Sequence, residues 1–204
     1  MLVESFGNTM NIRQMKINKS PEISFGLVMI FTTLVVINAG CSKSTPDIAG
    51  AAKEGRIEEI KSFLDEGGNP NVVNDMKQTA LLFAAIERHP DIVRLLLVKG
   101  ADPNIADTLG QTPLFFASYN QDLDSVEALI KAGADVNAVT GSGEFALLRA
   151  VTWGNTRLVE ILVNGGAGVN MKPADTRVPA PLQIAVQGQM KEIETILRQA
   201  GATE

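Results

Sequence analysis

From Asp47 onward, the chain alternates between short apolar segments at helical spacing and polar turns that contain glycine. Residues 125–131 (Ser-Val-Glu-Ala-Leu-Ile-Lys) place apolar side chains three and four positions apart, which predicts an amphipathic helix with one buried stripe. Residues 112–117 (Thr-Pro-Leu-Phe-Phe-Ala) predict a shorter first helix, because threonine suits an N-cap and proline the first helical position. Gly133 predicts the end of the second helix, since a left-handed C-cap favours glycine. The pattern indicates a helix pair followed by a turn.

This helix-pair pattern recurs every 33 residues. Three sets of residues keep the step: an alanine in each first helix, a glycine after each second helix and an asparagine in the turn that follows. They are Ala51, Ala84, Ala117 and Ala150; Gly67, Gly100, Gly133 and Gly166; and Asn71, Asn104, Asn137 and Asn170. In the last unit Ala185 and Gly201 lie 35 residues beyond their predecessors, a shift of two. A sustained period predicts a solenoid whose units bury their apolar faces against neighbours.

Two motifs of the third unit, Gly-x-Thr-Pro-Leu at 110–114 and Gly-Ala-Asp-Val-Asn at 133–137, resemble the ankyrin repeat. The ankyrin period is also 33 residues. The resemblance covers residues 47–204 and implies an all-α ankyrin-repeat solenoid of about five helix-turn-helix units. We expect the units at about 47–75, 76–108, 109–140, 141–173 and 174–204.

Three units depart from the consensus. The first lacks the Thr-Pro opening and reads Asp-Ile-Ala-Gly at 47–50, as expected for an N-terminal capping unit. The fourth has Phe145 where the motif has threonine, and a lost cap costs about 1 kcal/mol. The fifth opens with a longer loop, 173–181.

Residues 1–40 have the composition of an export signal or anchor. Arg13, Lys16 and Lys19 precede an uncharged stretch, 23–40, that is about long enough to cross a bilayer as a helix. Such an arrangement predicts export.

The run Asn-Ala-Gly-Cys at 38–41 resembles the lipobox of bacterial lipoproteins. It implies lipid attachment at Cys41, with 41–46 as the attachment residue and linker. Asn38 departs from that pattern, where an aliphatic residue is usual. An uncleaved anchor helix and a plain secretory signal therefore stay open, as does a start at Met10 or Met15.

Charge and composition exclude several classes of function. Without residues 1–40 the chain has 15 basic and 21 acidic residues, a net charge of −6, and no basic stripe that would favour nucleic acid. A single cysteine excludes an internal disulfide, and a single histidine, His89, excludes a multi-histidine metal site. The ankyrin resemblance implies a structural role for His89 beside a turn. We expect no catalytic residues, no metal and no cofactor, and so no enzyme.

The resemblance also implies where a partner protein binds. In ankyrin stacks the turns (called fingers below) and the first helices form a concave surface. The finger positions of this chain are Met76, Gln78, Leu109, Gln111 and Glu144, and the helix positions are Ile86, Glu87, Tyr119, Asn120, Thr152 and Trp153. The chain's only tyrosine and only tryptophan belong to this set, and exposed aromatic residues are typical of binding hot spots. Alternatively, Tyr119 and Trp153 cover the groove between helices and stabilise the stack.

Together these features favour a monomeric scaffold or adaptor lipoprotein, anchored in a bacterial envelope and facing the periplasm. A chain cleaved without lipidation would be secreted. The alternative is an inhibitor or immunity protein for an exported toxin or enzyme, because an acidic surface suits a basic target. A stress-protective or host-directed role is also compatible with export, although no residue argues for it.

Overall fold

The computed structural model describes residues 47–203 apart from Ala174 and Thr176. Within these residues it has ten α-helices, and the only β pairing is an isolated bridge between Val73 and Thr79. The first helices of the pairs are α1 (Ile48–Lys53), α3 (Ala80–Ile86), α5 (Pro113–Tyr119), α7 (Ala146–Thr152) and α9 (Pro181–Gln187). The second helices are α2 (Ile57–Asp65), α4 (Pro90–Val98), α6 (Leu123–Lys131), α8 (Thr156–Asn164) and α10 (Lys191–Gln199).

The structure confirms the all-α solenoid. One helix pair lies in each of the five segments expected from the sequence. The predicted export segment, Cys41 and the linker 41–46 lie outside the described residues.

Threonine caps the first helices of the second and third units, and in the third unit proline follows the threonine as predicted. The hydroxyl of Thr112 accepts a hydrogen bond from the backbone N–H of Phe115 at 3.2 Å, and Pro113 is the first residue of α5. Thr79 makes the equivalent bond to the N–H of Leu82 at 3.1 Å. These side chains satisfy backbone donors that a helix leaves without an internal partner.

Helix α6 begins at Leu123, two residues before the start that the apolar pattern predicted. One reason is Asp122, whose carboxylate accepts the backbone N–H of Ser125 at 3.3 Å and its hydroxyl at 2.6 Å. The apolar stripe itself reaches Leu123, which packs on the core three residues before Val126, so the predicted start was too late for both the cap and the stripe.

The fourth unit starts without a hydroxyl cap, as the sequence indicated. Phe145 occupies the N-cap of α7 and makes no side-chain bond to the helix end. Its ring instead lies in the core, 1% exposed. Burying such a ring contributes about 1.5–3 kcal/mol, more than the roughly 1 kcal/mol of a lost cap. The fourth unit therefore replaces capping by packing.

The apolar core runs without interruption through all five pairs. The alanines of the repeat (Ala51, Ala84, Ala117, Ala150 and Ala185) are at most 1% exposed. We call the first helices of the pairs the inner helices and the second helices the outer helices. Small alanine side chains let neighbouring inner helices approach closely, and inner helices contact one another more extensively than outer helices do. The stack therefore bends towards its inner helices, and that side is concave.

The repeated asparagines link each unit to the next, and we call them the asparagine ladder. The side-chain N–H of Asn71, Asn104, Asn137 and Asn170 donates to the carbonyl of the next unit's C-terminal glycine at 3.0–3.3 Å. Each side-chain oxygen accepts a backbone N–H of the same following unit at 2.7–2.9 Å. Those glycines have left-handed φ values of 87° to 93°, as their C-cap role requires. The sequence showed the period of these asparagines but not this role.

We expect Asn104→Ala to lower the free energy of unfolding by about 1–2 kcal/mol, because it removes two hydrogen bonds of about 0.5–1.5 kcal/mol each. Thermal unfolding followed by circular dichroism should show a Tm lower by a few degrees. Asn164→Ala is the matched control, since Asn164 is exposed at the end of α8 and has no side-chain bond to a described residue. Equal Tm values for the two variants would contradict a stabilising role of the asparagine ladder.

Candidate partner-binding surface

Tyr119 and Trp153 form an aromatic pair on the concave side. Tyr119 is the last residue of α5, and Trp153 directly follows α7. Their ring centroids are 5.8 Å apart at an interplanar angle of 73°, the edge-to-face arrangement that aromatic rings prefer. The rings remain 43% and 52% exposed. Behind them, the buried ring of Phe115 lies 6.4 Å from that of Tyr119. We call Tyr119 and Trp153 the aromatic patch.

The two rings contact each other across neighbouring units from positions that are not equivalent in the repeat. Tyr119 corresponds in the repeat to Ile86 and to Thr152, so Trp153 stands one position further along its unit. Ile86 is half-buried at the end of α3. Ile86, Tyr119 and Trp153 therefore do not form a straight row along the units, because Trp153 is offset by one residue. The indole ring of Trp153 is large enough to span this offset and contact the ring of Tyr119.

Sequence reasoning did not assign Arg149 to this surface. Its guanidinium carbon lies 5.6 Å from the centroid of the Tyr119 ring, within the range of a cation–π contact. The same guanidinium forms an ion pair with Glu144 in the adjoining finger. The signal was present in the repeat, because Phe83 and Phe116 occupy the equivalent position in the two preceding units. An arginine at an otherwise aromatic position indicated a local change of chemistry.

Met76 and Leu109 lie on neighbouring fingers. The backbone N–H of Thr108 donates to the carbonyl of Met76 at 3.1 Å, and the N–H of Gly141 donates to the carbonyl of Leu109 at 2.8 Å. These bonds hold three successive fingers side by side. The side chains of Met76 and Leu109 are 60% and 63% exposed. The fingers thus present two apolar side chains to solvent, next to the inner helices.

Each of these fingers is closed by a side chain at the same repeat position. The carboxylate of Asp107 accepts the backbone N–H groups of Leu109 and Gln111, both at 2.9 Å. Asn74 and Thr140 make corresponding bonds in the fingers before and after it. Loops tied in this way lose little conformational entropy when a partner binds.

Asn120, a predicted contact residue, is engaged inside the stack. Its side-chain N–H donates to the carbonyl of Ile86 at 2.8 Å and to that of Ala85 at 3.2 Å. These are the last carbonyls of α3, which the helix itself leaves without partners. Asn120 thus caps the helix of the preceding unit.

The other predicted contact residues differ in exposure and in whether their polar groups have hydrogen-bond or ion-pair partners. Gln78 accepts a hydrogen bond from the side chain of Asn74 at 3.0 Å, and the Thr152 hydroxyl donates to the carbonyl of Leu148 at 2.7 Å. Glu144 is paired with Arg149 as described. Glu87 is exposed and Gln111 is half-buried. Partner binding by the predicted set stays a prediction.

His89 lies at the start of α4, where the ankyrin resemblance placed it. It occupies the N-cap position without a side-chain capping bond. Its ring packs over Gly55 of the preceding unit, where an added Cβ would come within 3.0 Å of it. The His89 ring therefore takes part in the packing between the first and second units.

Surface ion pairs cause the pKa shifts of carboxyl groups in the described part of the chain. The Lys99 ammonium, 2.6 Å from Asp65, holds the pKa of that carboxyl below its ordinary value by hydrogen bonding and by charge. Arg177 lowers the pKa of Asp175 through hydrogen bonds from its side chain and its backbone N–H. Across residues 47–203, leaving aside the two undescribed positions, no cluster of histidine, cysteine or acidic residues could hold a metal ion. No helix in the same residues is long and apolar enough to cross a membrane.

Two family models match the chain. A model described as ankyrin repeats (3 copies) matches residues 48–140, and one described as ankyrin repeats (many copies) matches residues 119–163. Together they cover more than half of the sequence, and the chain belongs to the ankyrin-repeat family. Ankyrin repeats generally act as protein–protein interaction modules and are typically not enzymes. No curated protein sequence matches the chain. The pair α9–α10 lies beyond both matches, and the structure adds it to the stack.

We expect Asn120→Ala to reduce stability by about 1–2 kcal/mol, because two helix-end carbonyls lose their partner. Glu87→Ala is the matched control, since Glu87 holds the same repeat position one unit earlier and is exposed. A surface substitution of this kind changes stability by about 0.5 kcal/mol or less. Chemical denaturation of both variants measures the difference, and an Asn120→Ala variant as stable as the control would exclude the capping role.

Proposed function

We propose that the protein is an envelope-anchored ankyrin-repeat lipoprotein that acts as a scaffold or adaptor, binding another protein through its concave side. The main support is the aromatic patch. Two half-exposed aromatic side chains lie on the same concave side as Met76 and Leu109, the apolar fingertips of the preorganised turns. Such a cluster has the composition of a binding hot spot, in which a few aromatic residues supply most of the binding free energy.

The alternative interpretation, that Tyr119 and Trp153 only stabilise the stack, makes a distinct energetic prediction. Their ring contact is worth about 0.5–1.5 kcal/mol, and the Arg149 contact about 0.5–1 kcal/mol. Neither ring belongs to the continuous apolar core. Removing both rings should therefore cost only a modest part of the folding free energy, while a binding role would cost most of the affinity.

We expect the double variant Tyr119→Ala, Trp153→Ala to keep its far-ultraviolet circular dichroism spectrum and to lose partner capture. Each hot-spot ring contributes about 2 kcal/mol or more to binding, which is roughly a 30-fold change in Kd per ring. The measurement is recovery of cross-linked partners from membranes by the wild type and the variant.

Val98→Ala is the control for this experiment, because Val98 is an 84% exposed apolar residue at the end of the outer helix α4. It should leave capture unchanged. If the double variant loses thermal stability in proportion to binding, the rings act on the stack and the binding proposal fails.

Anchoring at Cys41 is the second part of the proposal and depends on the lipobox-like run 38–41. Acyl chains contribute about 0.8 kcal/mol per buried CH₂, so a multiply acylated cysteine would hold the protein firmly at a membrane. The linker 42–46 would span roughly 17 Å when extended and keep the repeats near the membrane surface.

We expect the wild type to incorporate a labelled fatty acid and to sediment with membranes, and Cys41→Ser to lose the label. Metabolic labelling followed by membrane fractionation measures both. Ser44→Ala, three residues further on, controls for disturbance of the segment. A Cys41→Ser variant that is still labelled would refute lipidation at this residue, and an unlabelled wild type in the membrane fraction would favour the anchor helix.

The alternative function, inhibition of an exported toxin or enzyme, would use the same concave side. Its sequence argument was the acidic net charge, which suits a basic target. That argument depends on where the acidic residues lie in the fold.

A further inference from the structure

The net charge of the protein is unevenly distributed over the fold. Residues 47–203 contain 14 basic and 20 acidic residues. We define the concave side as the inner helices, the residue after each of them, and the finger turns 72–79, 105–112, 138–145 and 171–180. It has five basic and six acidic residues, a net charge of −1. The remaining nine basic and 14 acidic residues, with a net charge of −5, belong to the outer helices and the other turns.

Several acidic groups of the concave side are already neutralised. Glu144 pairs with Arg149, Glu54 with Arg56, and Asp175 with Arg177, the last at 2.7 Å. An ion pair that is satisfied within the protein offers little net attraction to a charge on a partner.

Asp107 is also unavailable. It is buried, and its carboxylate accepts two backbone N–H groups of its own finger. A carboxylate that is buried and bonded in this way closes the finger and presents no negative charge to a ligand.

The charges that remain do not favour a basic ligand. Asp75 and Glu87 are acidic, whereas Lys53, Lys77 and Lys172 are basic, and none of the five has an ion-pair partner among the residues that the structure describes. Exposed charges further apart than about 8–10 Å are screened at physiological salt. These five charges sum to +1, so they give a basic ligand no net attraction.

The exposed apolar groups of the concave side have charges of both signs near them: Asp75 and Lys77 flank Met76, and Arg149, which is paired with Glu144, lies over the Tyr119 ring. Tyr119, Trp153, Met76 and Leu109 are exposed there, and no charged residue occurs within the inner helices α3, α5 and α9. A ligand gains free energy on such a surface by burying its own apolar side chains. A basic ligand would instead be desolvated without a net negative charge to compensate it.

Building on the proposed function, we infer that the partner segment held by the concave side is apolar and without net charge, and is not a basic segment drawn by the acidic protein. It carries two or more aliphatic or aromatic side chains that pack against the aromatic patch and the Met76 and Leu109 fingertips. The acidic outer side takes no part in this contact. Binding is consequently driven by apolar burial and depends little on ionic strength.

Trp153 makes this inference directly measurable. It is the only tryptophan of the chain and is half exposed on the proposed surface. Its fluorescence emission should resemble that of a solvated indole in the free protein and should shift to shorter wavelength when an apolar segment covers it.

The experiment selects binders for the full-length protein from a library of short random-sequence peptides and titrates synthetic versions against Trp153 fluorescence. We expect the enriched peptides to be rich in aliphatic and aromatic residues and to have a net charge near zero. Their Kd should change by less than about threefold between about 0.05 and 0.5 M NaCl, because no charge pairs are screened. Versions with added lysines should bind no more tightly than the neutral ones.

Two variants separate the possible failures. The double variant Glu58→Lys, Asp124→Lys alters exposed charges on the outer helices α2 and α6 and should leave the Kd unchanged. Leu109→Ser removes an apolar fingertip and should weaken binding at least several-fold. Its effect is compared with that of Val98→Ser on the outer side.

Each outcome of the selection decides a different point. Peptides that depend on Leu109 and shift Trp153 emission, but are basic and salt-sensitive, would overturn the inference and leave the proposed binding surface intact. Peptides whose binding does not depend on Leu109 and does not shift Trp153 emission would count against the proposed function itself. A selection that enriches no peptide would do the same.

Discussion

The structure depends on one constraint: a pair of helices, one of six or seven residues and one of nine, cannot bury its apolar face alone. Each unit must therefore pack on its neighbours, and the core becomes a continuous layer shared by all five pairs. The repeated alanines are what permits this, because only a small side chain lets consecutive inner helices approach closely enough to exclude solvent. The closer approach of the inner helices also gives the stack its curvature. A concave side is thus a consequence of the same packing that makes the fold stable.

Polar contacts between units then determine how rigid that surface is. The asparagine ladder connects each turn to the end of the following helix pair, and backbone bonds connect neighbouring fingers. Asn120 adds a cap from one inner helix to the previous one. Because these bonds join successive units and not residues within one unit, their geometry depends on the complete stack. The turns are consequently preorganised, which reduces the entropic cost of binding a partner.

The distribution of side chains over this frame separates two surfaces of different chemistry. The outer helices and turns contain most of the net negative charge of the described residues. The concave side combines internally paired charges with exposed rings and apolar fingertips. The net charge of the chain as a whole does not show this division. The hypothesis of a basic target was based on that net charge alone.

The sequence by itself determined the class of fold, the number of units and the approximate helix positions, because period, caps and apolar stripes are local properties of the chain. It also selected Tyr119 and Trp153 as unusual positions on the inner helices. It placed the start of α6 two residues too late, because the prediction included neither Leu123 in the apolar stripe nor Asp122 as the cap. It did not reveal Arg149 beside Tyr119, the bonds of the asparagine ladder or the neutral character of the concave side. Those features depend on contacts between residues about one repeat apart, or on the total charge of a surface. Only the packing of one unit against the next decides them.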